Sequence, residues 1–151
     1  MITDWGAHHV DISQWAMGMD HSGPIRIENI RAELPSESEL YNTAPKYHFD
    51  CVYENGVRMI VSDNSSSETG ITFEGDNGKS IFVTRGSIKM NPPELRRERI
   101  QDSETRVYKS TNHVDDFINA IFSGQRTAAP IEASHRSISI CHLANIAIRL
   151  G

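Results

Sequence analysis

The stretch "KYHFDCVYENGVRMIVSDNSSSE", residues 46–68, places two apolar runs on either side of the dipeptide Asn55-Gly56. Both residues of that dipeptide tolerate a positive φ, so it favours a tight two-residue turn between antiparallel strands. Such a turn pairs Tyr53 with Arg58, and neither face of the hairpin is then cleanly apolar. Two explanations stay open: both faces are partly covered, or the loop is longer than two residues.

Further strands are predicted on both sides of this hairpin. The segment "IRIENIRAEL", residues 25–34, alternates through its first half, and residues 35–45 form a polar loop. The segment "GITFEGDNGKSIFVTRGSIKM", residues 70–90, is a second hairpin with its turn at residues 75–78. Consecutive strands joined by tight turns indicate an antiparallel sheet.

The chain begins with a helical pattern over residues 4–18. Thr3 or Asp4 can cap this helix, because either side chain accepts from the free N–H groups of a first turn. Gly18 suits the left-handed position that ends a helix. Apolar residues cover a wide arc of the pattern, so we expect this helix to be well buried.

Two more helices are predicted near the C-terminus, after a short polar helix or connector at residues 91–100. Asn112 caps the first, over residues 113–124, and Ser134 caps the second, over residues 133–151. The second is apolar on most of its surface and should lie in the interior. The first has an apolar stripe that we expect to be buried, formed by Val114, Phe117, Ile118 and Ile121.

The order of helix, strands and helices predicts an α+β fold, with helices packed on one face of a mostly antiparallel sheet. A length of 151 residues suits a single domain over residues 1–151. The strands hold more apolar residues than one face needs, so we expect the open face to be a homodimer interface. The apolar strand positions are residues 47–53, Ile60, Ile71, Phe73, Ile81 and Val83.

Composition narrows the classes of function. A net charge of -5 provides no basic stripe for nucleic acid. No apolar run reaches membrane-spanning length, and no basic segment followed by an apolar run marks a signal peptide, so a cytoplasmic location is expected. Two cysteines are too few for a disulfide framework and are interpreted as reduced core thiols.

The opening segment "ITDWGAHHVD", residues 2–11, carries the strongest chemical pattern. Helical spacing places Asp4, His8 and Asp11 along one side, with His9 pointing elsewhere. A carboxylate beside an imidazole is the arrangement of a general base with an orienting partner. The spacing alone favours a structural role instead, with Asp4 as a cap, His8 as a satisfied polar residue and Asp11 as a loop anchor.

Other candidate sites are weaker. His8, His9 and Asp11 could be metal ligands, but adjacent histidines face different sides of a helix, so no metal site is predicted. No nucleophile elbow surrounds the serines of residues 65–70. The "GDNG" turn at residues 75–78 lacks the other ligands of a calcium loop. No strand–GxGxxG–helix pattern is present to hold a dinucleotide.

Three segments in this order resemble the C-terminal domain of the Gfo/Idh/MocA oxidoreductases. They are "ITDWGAHHVDISQWAMG" (residues 2–18), "ITFEGDNGKSIFVTRG" (residues 71–86) and "HVDDFINAIFSGQRTAAPIEASHRSISICHLANIAIRLG" (residues 113–151). The resemblance covers nearly the whole chain. It implies a two-domain enzyme whose N-terminal Rossmann domain binds NAD or NADP and would precede Met1, so that this chain is a C-terminal fragment.

The resemblance also implies roles for individual residues. The Asp-x-x-x-His pattern of the family matches Asp4 and His8, so His8 resembles a general base and Asp4 binds the same hydroxyl or supports the histidine. Asp11 matches a further acid of the family, and Trp5 is assigned with these three residues to the substrate site. The family's catalytic lysine, usually in a Glu-Lys-Pro motif, has no counterpart in this sequence.

The function implied is the substrate-binding and catalytic-base half of an NAD(P)-dependent dehydrogenase. The substrate would be a sugar, polyol or cyclitol, and the cofactor NAD or NADP in the full-length parent. This chain alone is expected to bind neither dinucleotide and to be inactive. The alternative is a non-catalytic dimerisation or binding module, and in both cases a homodimer or higher homo-oligomer through the sheet is expected.

Overall fold

A computed structural model describes residues 1–65 and 67–151 and confirms the predicted α+β fold. Ser66, within the serine-rich loop considered above as a nucleophile site, lies outside the described residues. The elements, in chain order, are a π-helical turn Ile2–Gly6, α1 Ala7–Ala16, β1 Arg26–Glu33, β2 Lys46–Val52, β3 Arg58–Ser62, β4 Ile71–Glu74, β5 Ser80–Thr84, β6 Ser87–Asn91, a 3-10 helix Pro93–Arg97, α2 His113–Ser123 and α3 Ile131–Leu150.

The chain divides into two compact units. The first unit comprises Met1–Gly70 and Glu132–Gly151, and the second comprises Ile71–Ile131. Each unit contains a three-stranded antiparallel sheet, with strand order β1-β2-β3 in the first and β4-β5-β6 in the second. The strands predicted from the sequence therefore form two separate sheets.

The β2–β3 loop has three residues, 54–56, and not two. The Tyr53 N–H donates to the Val57 carbonyl at 2.9 Å, and β2 then pairs Cys51 with Met59. A three-residue loop that ends on a left-handed glycine, here Gly56 at φ +85°, is a common hairpin connection. The predicted two-residue register is therefore wrong by one position, and the longer loop is correct.

This register gives the first sheet one apolar face and one charged face. Tyr47, Phe49, Cys51, Tyr53 and Met59 alternate onto the inner face, where they form a core with buried residues of α1 and α3. The helical members of that core are Val10, Ile140, Cys141, Ala144 and Ile148. The helices thus cover the inner face of the sheet, as predicted.

The outer face of the first sheet is built around the buried carboxylate of Asp50. It accepts from Asn29 Nδ2 at 2.7 Å and from Arg58 Nη1 at 2.7 Å, while His48 Nε2 lies 3.2 Å from Oδ1 without the geometry of a hydrogen bond. Burial alone would raise the pKa of Asp50. The hydrogen bonds from Asn29 and Arg58, with the charges of His48 and Arg58, outweigh that effect and hold the pKa below its usual value.

Both cysteines lie in the core of the first unit as free thiols, in agreement with the sequence interpretation. Burial, with smaller effects from Cys141 and Asp50, raises the pKa of the Cys51 thiol to about 12. Burial also raises the pKa of the Cys141 thiol to about 11. Both side chains therefore behave as small apolar residues at neutral pH.

The N-terminal helix differs from its prediction in burial and at its first turn. The predicted burial over a wide arc is wrong, because Ile12 and Trp15 are exposed and only one side of α1 is buried. Neither Thr3 nor Asp4 caps it, because helical turns begin at Ile2 and no side chain makes a capping hydrogen bond there. The other end follows the prediction. Gly18 has φ +68°, its N–H donates to Trp15 O at 3.0 Å, and the Met19 N–H donates to Gln14 O at 2.8 Å. This is a Schellman motif.

In the second unit, the hairpin turn at residues 75–78 is confirmed, since the Gly75 N–H donates to Lys79 O at 2.9 Å. Asn112 caps α2 as predicted, with Oδ1 accepting from Val114 N at 2.9 Å and from Asp115 N at 3.2 Å. Gly124 ends that helix at φ +67°.

Two predictions for the C-terminal helices are wrong. The α2 stripe of Val114, Phe117, Ile118 and Ile121 is 43–68% exposed, because no described part of the second unit covers it. Ser134 does not cap α3, which begins three residues earlier at Ile131. A third prediction, that α3 lies in the interior, holds for one side of the helix only, because Leu143 and Ile146 on the other side are exposed. Within the described residues, no helix combines the length and the apolar composition that crossing a membrane requires.

Candidate functional site

Helix α1 separates a buried side from an exposed side. Val10, Ser13 and Gln14 are buried against the rest of the first unit. His8, Asp11 and Trp15 lie along one side of α1, as their helical spacing requires. All three are exposed. The residues that the sequence singled out for chemistry therefore lie on the solvent side of a helix whose other side is fixed in the core.

The side chains of Trp5, His8 and His9 form a cluster at the start of α1. The indole of Trp5 lies 5.7 Å from the imidazole of His8 and 6.4 Å from that of His9, measured between ring centroids. Trp5 is 44% exposed, so the cluster is open to solvent. The indole offers a flat apolar surface beside a polar imidazole.

The two histidines differ in environment. His9 is half-buried, and its pKa is lowered first by burial and second by the neighbouring His8. His8 is exposed. His9 therefore stays neutral to lower pH than an ordinary histidine, while His8 is the imidazole that solutes can reach.

Asp4 lies at an interruption in the helical backbone. Its φ and ψ of -110° and -107° are not helical, so the regular four-residue spacing does not connect it to His8. Within the described residues, no hydrogen bond joins the Asp4 carboxylate to the His8 imidazole. The structure thus places Asp4 near the start of the same segment but does not form the orienting pair that the spacing predicted, and its role in substrate binding stays a prediction.

Asp11 contacts a residue that sequence reasoning missed. The hydroxyl of Ser137 in α3 donates to Asp11 Oδ1 at 2.7 Å. The two residues are 126 positions apart, so no local pattern could have paired them. Asp11 is therefore held by α3 and is not a loop anchor.

Gln14 is the second residue that sequence reasoning missed. It is fully buried, accepts from the Tyr53 hydroxyl at 2.6 Å, and donates to Met19 O and Ser22 O at 3.1 Å each. These bonds connect α1 to the residue that follows β2 and to the loop after α1, and they satisfy both ends of a buried amide. The signal that the sequence offered was a polar side chain on the same side of the helix as the apolar Val10.

The sequence predicts neither a metal site nor a dinucleotide site in this chain. In the part of the chain that the structure describes, no three His, Cys, Asp or Glu side chains are grouped to hold a metal ion. A shallow depression of about 420 Å³ lies on the second unit, lined by residues that include Val83, Ile88 and Arg96. None of the candidate residues of α1 lines that depression.

The N-terminal helical segment combines the exposed imidazole of His8, the exposed carboxylate of Asp11 and the indole surface of Trp5. The Asp11 carboxylate is held by the hydrogen bond from Ser137. An imidazole can accept a proton from a hydroxyl within hydrogen-bond reach, and a carboxylate can accept a hydrogen bond from a second hydroxyl. These groups suit a small, hydroxyl-rich molecule better than they suit a metal ion.

Comparison with models of protein families gives a match. The model of an oxidoreductase family, described as its C-terminal alpha/beta domain (GFO_IDH_MocA_C2), matches residues 1–151. Neither the curated proteins nor the solved structures that were compared give a match.

Proposed function

The chain belongs to this oxidoreductase family as its C-terminal alpha/beta domain, and from that premise we propose that it is the substrate-binding and catalytic-base half of an NAD(P)-dependent dehydrogenase. The substrate we propose is a sugar, polyol or cyclitol. The observation that supports this most directly is the exposed imidazole of His8 on a helix that buried contacts hold in place.

In this proposal His8 accepts the proton of the substrate hydroxyl while the carbinol carbon is oxidised to a carbonyl. Asp11 accepts a hydrogen bond from another hydroxyl of the substrate. Asp4 binds the hydroxyl that reacts with His8. The indole of Trp5, 5.7 Å from the His8 ring, offers its apolar surface to the C–H groups of the substrate ring.

In such a dehydrogenase the chemistry that a bound nicotinamide would supply is acceptance of the hydride. The residues described include no glycine-rich turn at a helix N-terminus, which is what a dinucleotide pyrophosphate requires. This chain therefore does not fit the cofactor by itself, and we assign none of its residues to NAD or NADP. The single-domain interpretation of residues 1–151 and the cytoplasmic location both stay predictions.

A non-catalytic binding module is the second candidate function. The exposed apolar stripe of α2 favours it, because surfaces of this kind mark interaction sites. We also propose self-association through an open sheet face. In the second unit, Ile71, Phe73, Ile81 and Val83 share one face of the sheet and are only half-buried. In the first unit the open face carries the Asp50 cluster instead.

The experiment is steady-state kinetics of the complete protein with NAD or NADP against myo-inositol, D-glucose and D-xylose. We expect His8→Ala to lower kcat by about 10²–10⁴-fold, the usual contribution of a positioned base. His9→Ala is the matched control, because His9 has the same side chain but is half-buried, and it should change kcat far less. Equal, mild effects of the two substitutions, in variants that unfold at the wild-type temperature, would return His8 to a structural role and favour the binding module.

A further inference from the structure

Three helical serines of this protein share a pattern that Ser137 does not follow. Ser13, Ser123 and Ser139 each donate their hydroxyl to the backbone carbonyl four residues earlier, at 2.7–2.8 Å. This is the usual local partner of a serine inside a helix. Ser137 lies on the same helix as Ser139 but donates to Asp11 Oδ1 of α1 at 2.7 Å. Its hydroxyl is therefore used between helices.

The environment of the Ser137 hydroxyl is unlike that of its partner. Ser137 is 3% exposed, whereas Asp11 is exposed. A buried hydroxyl that donates to a carboxylate forms a charge-assisted bond, which is shorter and stronger than a neutral one. One oxygen of Asp11 is consequently held from the buried side, while the carboxylate as a whole still faces solvent.

The backbone that carries Asp11 is also held. Gln14, three residues further along α1, accepts from the buried Tyr53 hydroxyl at 2.6 Å and donates to two carbonyls of the loop after the helix. His8 lies three residues before Asp11, which places both on one side of α1. With the helix held through Gln14 and the side chain held through Ser137, the position of the Asp11 carboxylate is set by α3 and by Tyr53, which follows β2.

We propose that Ser137 is a positioning residue of the substrate site. It fixes the Asp11 side chain so that its carboxylate receives one hydroxyl of the substrate while His8 receives the proton of another. This inference rests on the proposed function. It assigns Ser137 no contact with substrate, because its hydroxyl is used by Asp11 and its side chain is buried.

The test uses the complete protein. Its substrate is whichever of myo-inositol, D-glucose and D-xylose the wild-type protein oxidises fastest. Ser137→Ala should raise KM about tenfold with less than a threefold change in kcat, since it loosens binding that ground state and transition state share. Ser139→Ala is the matched control, because it removes a hydroxyl two residues away that bonds only within α3. It should leave KM and kcat unchanged.

A double-mutant cycle separates positioning from packing. Asp11→Ala should raise KM at least as much as Ser137→Ala, and adding Ser137→Ala to Asp11→Ala should raise it no further, because residues that act through one contact are not additive. If Ser137→Ala does not fold, Ser137→Cys replaces it, since a thiol keeps the volume but donates only weakly.

The outcomes distinguish this inference from the function on which it rests. If the wild-type protein oxidises no polyol, or His8→Ala retains full kcat, the proposed function fails and the role of Ser137 fails with it. If kcat depends on His8 but Ser137→Ala matches Ser139→Ala in KM, or if the KM effects of the Asp11 and Ser137 substitutions multiply, only the positioning role is overturned. The hydrogen bond would then be an interhelical packing contact.

Discussion

Helices α1 and α2 differ in whether their apolar side is buried. The pattern of α2 is sharply amphipathic, yet none of its residues is buried, whereas the weakly amphipathic α1 buries Val10, Ser13 and Gln14. Among the described residues, every buried one lies in the first unit. Periodicity thus identifies which face of a helix is apolar. It does not establish that the same unit provides a surface to cover that face.

The largest effect is expected in the core of the first unit. Phe49→Ala should lower the free energy of unfolding by about 3–5 kcal/mol, because it leaves a cavity at a fully buried aromatic position. Urea denaturation of the complete protein measures this. Phe117→Ala in α2 is the matched substitution and should cost much less. Equal losses from the two would remove the contrast between the helices.

An intermediate effect is expected for Asp50 and depends on pH. Its folded-state pKa lies below the unfolded value of about 3.9, so its stabilising contribution is present above that value and is lost as pH falls through the folded-state pKa. Asp50→Asn should therefore lower stability at pH 6 by roughly 1–3 kcal/mol and lessen the further loss on acidification. The measurement is the urea midpoint at pH 6, 4 and 3.

Asp116 provides the comparison in the second unit. The Ala128 backbone N–H and the Tyr108 hydroxyl lower its pKa as well, but the carboxylate lies at the surface, where solvent screens it. We expect Asp116→Asn to alter the acid dependence less than Asp50→Asn does. A larger change for Asp116→Asn would show that enclosure by the sheet is not what makes Asp50 important.

The smallest effect is expected at Phe122, which is 86% exposed. Phe122→Ser should change the free energy of unfolding by no more than about 0.5 kcal/mol, as exposed substitutions usually do. It should also reduce the binding of a hydrophobic dye to the folded protein, because it removes apolar surface. A loss near that of Phe49→Ala would mean that α2 is covered in solution, and the contrast would then reflect a missing partner.

The sequence predicted helix ends correctly where a capping side chain or a left-handed glycine marks them. Asn112 and Gly124 bound α2 as predicted, and Gly18 ends the N-terminal helix. The sequence located the loop at Asn55-Gly56 but left its length open, and the longer loop is the one observed. The Asn55 side chain accepts from the Val57 N–H at 3.1 Å, and an Asn-Gly pair suits both two-residue and three-residue loops.

The candidate site was predictable only in part. The spacing of His8, Asp11 and Trp15 on an exposed helix face follows from the helical period. The break at Asp4 does not follow, because no glycine or proline marks that position. The contact of Asp11 with Ser137 is set by the packing of α1 and α3, and it depends on the tertiary fold instead of on any pattern within either segment.

The burial of both thiols has a practical consequence for experiments. Cys51 and Cys141 are the only cysteines of the chain, both are fully enclosed, and both thiols have strongly raised pKa values. A thiol reagent can then react with this chain only when α3 opens away from the sheet. The rate of modification would report that opening in the unlabelled, unmutated protein, and a cysteine introduced at the surface could carry a probe without removing the native pair.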